Sequence, residues 1–261
     1  MVRTIRILAA VGITALGAVH AAAQRALPAS GTEVFARMRT AYGDGWYKTL
    51  TFVQTTTIRM RDGRDTVQTW YETLRYTSAL GTRLRIDVAP LSAGNASIST
   101  WDSTRGTRGD TLAAGRATGN PFLPLIEGAY LQPAERTARE VGPLGIDLSK
   151  VRAVTRDGRA TWVVGASSDR DSTSAQFWVD VERLVLVRMV LAGDQGRPPL
   201  DIRLGNFEKV GTGWLATRVE MLQGGRRRQL EEYHDWTGDP AIDAALLDVR
   251  GGAKGRHWAR P

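Results

Sequence analysis

The sequence predicts a mainly β fold of the α+β class, in which a single curved antiparallel sheet of about eleven strands forms an incomplete barrel. Segments that alternate apolar and polar residues run through most of the 261-residue chain, as strands with one buried face do. Short turns such as Asp62-Gly63 and Asp157-Gly158 separate them, which is typical of antiparallel neighbours. Helical patterns occur at the start, the middle and the end, and we expect these helices to pack into the concave face of the sheet.

The first 23 residues have the pattern of a secretory signal peptide. Arg3 and Arg6 precede an uncharged apolar stretch, 7–19, and Ala21-Ala22-Ala23 offers a small-residue cleavage signal. An N-terminal membrane anchor is the alternative, but the stretch is shorter than the roughly 20 residues that a spanning helix needs. We therefore predict export to the periplasm and one mature domain, 24–261. The chain has no cysteine, so its stability depends on its core rather than on disulfides.

The first helix is expected to begin near Ser30 and to end at Gly43. Ser30 and Glu33 have the spacing of a capping box, in which each side chain accepts a hydrogen bond from the backbone amide of the other residue. The apolar residues Val34, Phe35, Met38 and Tyr42 fall on one stripe. This helix therefore has one face that must pack against another element.

Eleven segments have the pattern of strands. Four precede the middle of the chain, at 50–60, 67–76, 83–88 and 96–101, and seven follow it, at 151–156, 160–166, 174–180, 184–191, 200–207, 214–222 and 228–236. The segment 104–120 is rich in Gly, Thr and Arg and is expected to form an irregular hairpin or a loop. Short helices are expected at 121–130, from Pro133 onward, and at 242–247, where Asp239 would be the N-cap.

The charge and the motifs exclude several classes of function. The formal net charge is +8, but the basic residues are scattered rather than striped, so an acidic lipid head group or a membrane surface is a better partner than nucleic acid. The mature chain keeps only His234 and His257, and it has no cysteine and no nucleophile elbow. We therefore predict no catalysis, no metal and no cofactor.

Seven tryptophans lie on or beside the predicted strands: Trp46, Trp70, Trp101, Trp162, Trp178, Trp214 and Trp236. Tryptophan is most often a large core residue. The alternative is that these side chains line a ligand cavity inside the curved sheet, and the sequence leaves both interpretations open.

The segment Phe177-Trp178-Val179-Asp180, followed by Leu184 to Met189, resembles a hairpin that recurs in the LolA/LolB-like lipoprotein carriers. The signal peptide, the helix Glu33–Tyr42 and the strand at 83–88 add to a resemblance that spans nearly all of the mature chain. The fold of that family is an incomplete antiparallel barrel, closed by helices, around an apolar cavity that takes up acyl chains. The arginine–proline pair of the main carriers is absent from 77–82, so the resemblance implies no functional arginine here.

The resemblance implies a soluble periplasmic carrier or chaperone that binds the acyl chains of a lipoprotein, or a free lipid, without catalysis. Each buried CH₂ group stabilises such a complex by roughly 0.8 kcal/mol, so an apolar cavity suffices. The expected partners are the lipid and a membrane surface or a membrane-protein donor or acceptor, and the carrier is expected to be a monomer. The alternative is a periplasmic sensor or adaptor that recognises a protein partner.

Twelve residues are expected to form the cavity. The wall residues are Leu84, Ile86, Val88, Trp101, Trp162, Trp178, Val185, Val187 and Met189, and Phe122, Leu125 and Ile126 are expected to form a lid. On the second strand of the hairpin, simple alternation places Val185, Val187 and Met189 on one face.

Overall fold

A computed structural model describes residues 26–43, 45–109, 111–248 and 256–259. The predicted signal peptide, 1–23, lies outside the described residues. Within them, no helix is both long enough and apolar enough to cross a membrane.

Thirteen antiparallel strands form one open sheet in the part of the chain that the structure describes. They are β1 (Thr49–Arg59), β2 (Asp65–Thr77), β3 (Gly81–Val88), β4 (Ala96–Ser99), β5 (Thr104–Arg108), β6 (Thr111–Arg116), β7 (Val151–Arg156), β8 (Arg159–Val164), β9 (Gln176–Asp180), β10 (Val185–Leu191), β11 (Leu200–Val210), β12 (Gly213–Gln223) and β13 (Arg226–Gly238). The order across the sheet is β6-β5-β4-β3-β2-β1-β13-β12-β11-β10-β9-β8-β7. Two meanders, β1–β6 and β7–β13, are therefore joined where β1 pairs with β13. The predicted fold class is confirmed.

The eleven predicted strands are all present, and two more lie in the segment 104–120, for which an irregular hairpin was one of the two predicted alternatives. β5 and β6 form a short hairpin in which Thr107 pairs with Leu112 and Arg108 with Thr111. The segment 104–120 is rich in Gly, Thr and Arg, and its apolar and polar residues do not alternate. Periodicity therefore cannot detect the hairpin.

The helices are α1 (Gly31–Tyr42), α2 (Ala129–Leu131) and α3 (Ala134–Val141), and a π-helical turn, Pro124–Gly128, leads into α2. At the start of α1 the side chain of Ser30 accepts a hydrogen bond from the amide of Glu33 at 3.2 Å, as predicted. The carboxylate of Glu33, however, accepts from the amide of Ala29 at 2.7 Å rather than from that of Ser30. The cap is therefore reciprocal, but it reaches one residue further back than expected.

The last helical turn is shorter than predicted and lies on the convex face. It is a 3₁₀ turn, Ala244–Leu247, and its N-cap is Asp243 rather than Asp239. Arg85 of β3 donates to the carbonyl of Leu246 at 2.8 Å, and the neighbouring residue Leu84 faces the concave side. Because successive residues of a strand point to opposite faces, the turn covers the convex side of β3.

α1 fills one half of the concave face. Phe35 stacks on Phe177 of β9 with the ring centroids 5.1 Å apart, and the guanidinium of Arg37 lies 5.1 Å from the ring centroid of Trp162 on β8. The hydroxyl of Tyr42 donates to the carbonyl of Arg183 in the β9–β10 turn. The helix therefore packs over β8–β10, and the face over β1–β3 and β11–β13 is left to other elements.

The β9–β10 hairpin contains a β-bulge that changes which side chains face the core. Val185 pairs with Asp180 and Leu186 with Val179, but Arg188, not Val187, pairs with Trp178. A bulge adds one residue to a strand, so every side chain beyond it moves to the other face. Leu184, Leu186 and Met189 consequently join the hydrophobic core. Val185 and Met189, which simple alternation places on one face, lie on opposite faces.

Candidate ligand-binding cavity

An apolar cavity of about 180 Å³ lies on the concave face, in the half that α1 does not fill. Strands β1, β2, β3, β11, β12 and β13 form its floor and walls, and the segment around the π turn closes it. The lining residues are Leu50, Phe52, Gln54, Trp70, Glu72, Leu74, Leu84, Ile86, Asn120, Phe122, Ile126, Glu127, Leu204, Leu215, Ala216, Val219, Met221, Glu231, Tyr233 and Trp236.

Rows of inward-facing residues across neighbouring strands make up the floor. Leu50 pairs with Leu74, which pairs with Leu84. In the next row Phe52 pairs with Glu72, which pairs with Ile86. Residues that face each other on neighbouring strands lie about 5 Å apart, so each row is a continuous surface. Alternation along β1, β2 and β3 brings these residues to one face.

Three aromatic side chains form one wall. The ring centroid of Phe52 lies 4.4 Å from that of Trp236 and 5.5 Å from that of Tyr233, and the rings of Tyr233 and Trp236 stack at 5.5 Å. The bulge in the β1–β13 pairing, between Thr51 and Val53, lets Trp236 face the cavity together with Tyr233, although the two residues are an odd number of positions apart. The three rings form a continuous aromatic surface, and Tyr233 and Trp236 are partly exposed.

The π turn places one apolar and one acidic side chain over the floor. Ile126 and Glu127 both line the cavity, and Phe122 enters it from the segment just before the turn. Oε2 of Glu127 accepts a hydrogen bond from Nε1 of Trp46 at 2.8 Å, and the Trp46 ring stacks on Tyr130 of α2 at 3.7 Å. π turns are frequent at functional sites, and this one holds the part of the cavity wall that does not belong to the sheet.

Three carboxyl groups face this largely apolar space. Burial is the main cause that raises the pKa of Glu127, to about 8, although the hydrogen bond from Trp46 opposes the rise. Burial, with a smaller effect from the charge of Glu231, raises the pKa of Glu72 well above its usual value. Burial also raises the pKa of Glu231, against hydrogen bonds from Tyr233 and Gln229. These environments favour the protonated, neutral acids.

Four of the twelve predicted site residues lie together around the cavity: Leu84, Ile86, Phe122 and Ile126. Trp162 and Met189 lie in the half of the concave face that α1 fills. Leu125 is buried in the core and does not line the cavity. For these three residues protein side chains occupy the space that a ligand was expected to occupy.

The other five predicted wall residues lie away from the cavity. Trp178 lies under the guanidinium groups of Arg188 and Arg156, 4.8 and 5.7 Å from its ring centroid, on the convex side of β9. Val185 shares that side, and Val187 is the extra residue of the bulge. Val88 ends β3, and Trp101 lies just beyond β4; both are partly exposed.

Most of the lining residues are not among the twelve predicted ones, although Trp70 and Trp236 belong to the seven tryptophans for which a place in the cavity wall was one of two interpretations. Phe52, Trp70, Tyr233 and Trp236 occupy inward positions of β1, β2 and β13. Alternation could have found Trp70 and Phe52, because both fall on the apolar face of long, regular strands. No pattern could have found the approach of β13 to β1, since these strands lie almost at opposite ends of the described chain. Within the described residues, no group of three or more His, Cys, Asp or Glu side chains could hold a metal ion.

The sequence matches no protein-family model and no curated protein. Three solved structures, by contrast, are similar to this chain in their fold. The chain is similar to a DUF1329 family protein from Desulfovibrio piger ATCC 29098, with a TM-score of 0.59 and 12% identity, over 84% of this chain and 95% of that chain. It is also similar to a protein domain named for outer membrane lipoprotein sorting, from Vibrio parahaemolyticus, with a TM-score of 0.54 and 12% identity, over 85% and 98% of the two chains.

A third similar structure is a LolA superfamily protein from Nitrosomonas europaea, with a TM-score of 0.53 and 9% identity, over 84% of this chain and 98% of that chain. The aligned regions include nearly all of each neighbour, so the likeness concerns the whole domain and not one hairpin. The open antiparallel sheet, the helices on its concave face and these neighbours agree: the chain has the LolA-like fold, as the resemblance in its sequence predicts.

Proposed function

We propose that this protein is a periplasmic carrier or chaperone that takes the acyl chains of a lipoprotein, or of another lipid, into the concave cavity. The observation that carries the proposal is the cavity itself: apolar and aromatic side chains from six strands surround a space of about 180 Å³. An apolar cavity of about 150 Å³ is large enough to bind benzene. The space therefore accepts a segment of an alkyl chain without any rearrangement.

The fold supports a way for longer chains to enter. Phe122 and Ile126 are the apolar residues that the closing segment contributes to the cavity, and both remain partly exposed. Moving this segment outward would expose these two side chains and Glu127, and also Leu123 and Leu125, which are now buried in the core. The bound chain would have to replace their apolar contacts. Each methylene that then enters contributes roughly 0.8 kcal/mol. We propose that the segment 120–128 acts as the lid, and that loading displaces it.

The direct test is to identify bound lipid. Protein purified gently from a periplasmic extract is expected to carry lipid that mass spectrometry detects after organic extraction. Lipid-free protein is expected to bind an environment-sensitive alkyl dye, and acyl lipids are expected to displace it. If neither bound lipid nor dye binding is observed, the carrier proposal is wrong.

A matched pair of substitutions locates the binding site. Met221→Trp places a larger side chain in the cavity, whereas Met60→Trp makes the same change at an exposed position in the β1–β2 turn. We expect Met221→Trp to weaken dye binding at least tenfold and Met60→Trp to leave it unchanged. Circular dichroism checks that both variants are folded. Equal effects of the two substitutions would place the dye elsewhere on the protein.

Export and oligomeric state have their own tests. If the chain is exported through its N-terminus, the mature protein begins after Ala23, which the intact mass of the periplasmic form reveals. A monomer gives the mass of one mature chain in light scattering.

The alternative function, a sensor or adaptor that recognises a protein, is favoured if the lipid-free protein binds no alkyl compound and captures a defined membrane-protein domain. The open cavity supports the carrier instead.

A further inference from the structure

Three buried polar atoms without a hydrogen-bond partner in the described protein belong to residues that line the cavity. In the described part of the chain, seven buried side-chain atoms have no such partner, and three of them, Oε1 of Glu72, Oε1 of Glu127 and Nε1 of Trp236, belong to lining residues. Buried polar groups in folded proteins are almost always hydrogen-bonded. Three unpaired groups around one apolar space therefore indicate a ligand that is not purely hydrocarbon.

Glu72 is the most unusual of the three. It lies in the middle of β2 with 4% of its surface exposed, between Phe52 and Ile86 in its row. Its neighbour Glu231 already accepts hydrogen bonds from Tyr233 and Gln229 at 2.5 Å each. Glu72 has no comparable donor, and none of the described lining residues is an arginine or a lysine. Oε1 of Glu72 is therefore available for a hydrogen bond that none of the described side chains supplies.

The ionisable groups around Glu72 determine its protonation. The cavity contributes Glu231 and Tyr233 from β13 and Glu127 from the π turn, so the charges that face Glu72 are all acidic. Burial and the charge of Glu231 raise the pKa of Glu72, and burial raises that of Glu127 to about 8. A protonated carboxyl group has one O–H donor. If Glu72 and Glu127 are protonated, they and the indole N–H of Trp236 give three lining residues a hydrogen-bond donor without a partner in the described protein.

We propose that the cavity selects a neutral acyl ester or amide, whose carbonyl oxygen accepts a hydrogen bond from Glu72, with Glu127 and Trp236 as further donors. The proposal deepens the carrier function and rests on it. A bare hydrocarbon leaves the three polar groups unpaired. A fatty-acid anion enters a space that holds three carboxyl groups and no cation, which is unfavourable for a buried charge.

A cationic amphiphile is the main competing ligand. Its ammonium group would be stabilised only if the carboxyl groups were ionised, and the apolar surroundings disfavour that form. The ester and the ammonium compound therefore differ in the sign of their pH dependence. Binding of the ester should weaken as pH rises and the acids lose their protons, whereas binding of the cation should strengthen.

The test uses lipid-free full-length protein and four probes with chains of equal length: hexadecane, methyl hexadecanoate, hexadecanoate and hexadecylammonium. Displacement of an alkyl dye measures the affinity of each probe. We expect the ester to bind about five- to tenfold more tightly than the hydrocarbon, which is the usual effect of one hydrogen bond in a protein, and the anion to bind most weakly. Diacylglycerol and a synthetic triacylated lipopeptide then distinguish a free lipid from a lipoprotein as the natural source.

Variants of Glu72 test the role of the side chain. Glu72→Leu is expected to remove the preference for the ester while hexadecane binds as before. Glu72→Gln keeps a hydrogen-bond donor that does not titrate, so it should retain the preference and reduce its pH dependence, the remainder belonging to Glu127. Glu208→Leu, at an exposed position of β11, is the matched control and should change nothing. Trp236→Phe keeps a ring and removes one donor, and a smaller loss of preference is expected.

The outcomes separate this inference from the carrier function. If no probe binds, both fail. If all four probes bind with equal affinity, or if Glu72→Leu keeps the ester preference, the carrier function stands and the selection by Glu72 is wrong. Tightest binding of hexadecylammonium, with affinity that rises with pH, would instead identify ionised carboxylates as the recognition element and would also overturn the proposal.

Discussion

Arg85 and Asp87, two residues apart on β3, form a buried bidentate salt bridge. Nε of Arg85 lies 2.6 Å from Oδ2 of Asp87, and Nη2 lies 2.6 Å from Oδ1. Nε2 of His257 approaches Oδ2 of Asp87 at 3.3 Å, and the amide of Ala259 donates to Nδ1 of the same ring at 3.1 Å. The pair therefore joins the C-terminal segment to the convex face of β3.

Removing one partner of this pair should destabilise the protein strongly. Asp87→Asn leaves the charge of Arg85 buried without compensation, and we expect a loss of about 3–5 kcal/mol in the free energy of unfolding. Asp65→Asn is the control, since the pair of Asp65 with Arg59 is largely exposed and should be worth about 0–1 kcal/mol. Urea titrations of both variants measure the difference. Similar losses would mean that the buried pair has no special role.

Asp87 should also make the protein sensitive to acid. Burial alone would raise the pKa of Asp87, but hydrogen bonds from His257 and Arg85 outweigh it, so the pKa is lowered. The stabilisation is therefore present above the ordinary value of about 3.9 and is lost as pH falls through the folded-state value. The free energy of unfolding, measured between pH 6 and pH 2.5, should fall less steeply in Asp87→Asn than in the unmodified protein.

Glu127 should have the opposite effect on stability, which decreases as pH rises from about 4.5 to about 8. Burial raises its pKa to about 8, so the folded protein keeps a proton that the unfolded chain releases near pH 4.5. The contribution of Glu127 to the free energy of unfolding is therefore fully present below that pH. It is lost as pH rises to about 8, and the loss is on the order of a few kcal/mol. Melting temperatures between pH 4 and pH 9 measure this slope. Glu127→Gln should reduce this slope, the remainder belonging to Glu72 and Glu231, and an unchanged slope would show that Glu127 is ionised in the folded protein.

Two neighbouring aromatic residues of β9 should respond very differently to truncation. Phe177 is fully buried against Phe35, so Phe177→Ala is expected to cost about 3–5 kcal/mol. Trp178 is partly exposed under Arg188 on the convex side, where a cation–π contact contributes about 0.5–1 kcal/mol. Trp178→Ala should therefore cost much less and should leave ligand affinity unchanged. A clear loss of affinity in that variant would return Trp178 to the binding site.

Two glycines should differ in their tolerance of a methyl group. A Cβ atom on Gly119 would collide with the backbone of Trp101, whereas one on Gly142, the right-handed C-cap residue of α3, would meet open space. We expect Gly119→Ala to cost about 1–3 kcal/mol. Gly142→Ala should change the stability by less than about 1 kcal/mol, because the gain from a less flexible unfolded chain is offset by the crowding of a Cβ in the right-handed region before Pro143. Thermal unfolding of the two variants measures both values. If both substitutions are neutral, the segments at Trp101 and Gly119 separate more easily than their contact suggests.

The sequence was sufficient to predict the strands with strong alternation and the turns between them. The hairpin at 177–191 shows why: Asp180 closes it, because its carboxylate accepts hydrogen bonds from the amides of Glu182 and Arg183 at 3.0 and 2.8 Å. Such interactions are local, so a local pattern reveals them. The same locality explains the prediction of α1, whose cap and apolar stripe are both within one segment.

The cavity was harder to predict because it depends on register and on long-range pairing. The bulge at Val187 reverses the faces of β10, and nothing in LVLVRMVL indicates it. Glu72, by contrast, was detectable in principle, since it has the same parity as Trp70 and Leu74 and is therefore an acidic residue on an inward face. An acidic residue on the inward face of a strand indicates a binding site, and neither composition nor a motif search detects it.

The pairing of β1 with β13 has a consequence for how the protein folds. Each meander can form from neighbouring hairpins, but the pairing of β1 with β13, which includes Leu50 and Gly238, requires the first and the last strand in chain order to meet in the middle of the sheet. Such distant contacts form slowly. Because β13 supplies Glu231, Tyr233 and Trp236, the cavity is complete only after this last strand has docked. A nascent chain that ends before residue 226 would contain the other twelve strands but would lack Glu231, Tyr233 and Trp236, so the cavity is completed last, after β13 has been synthesised.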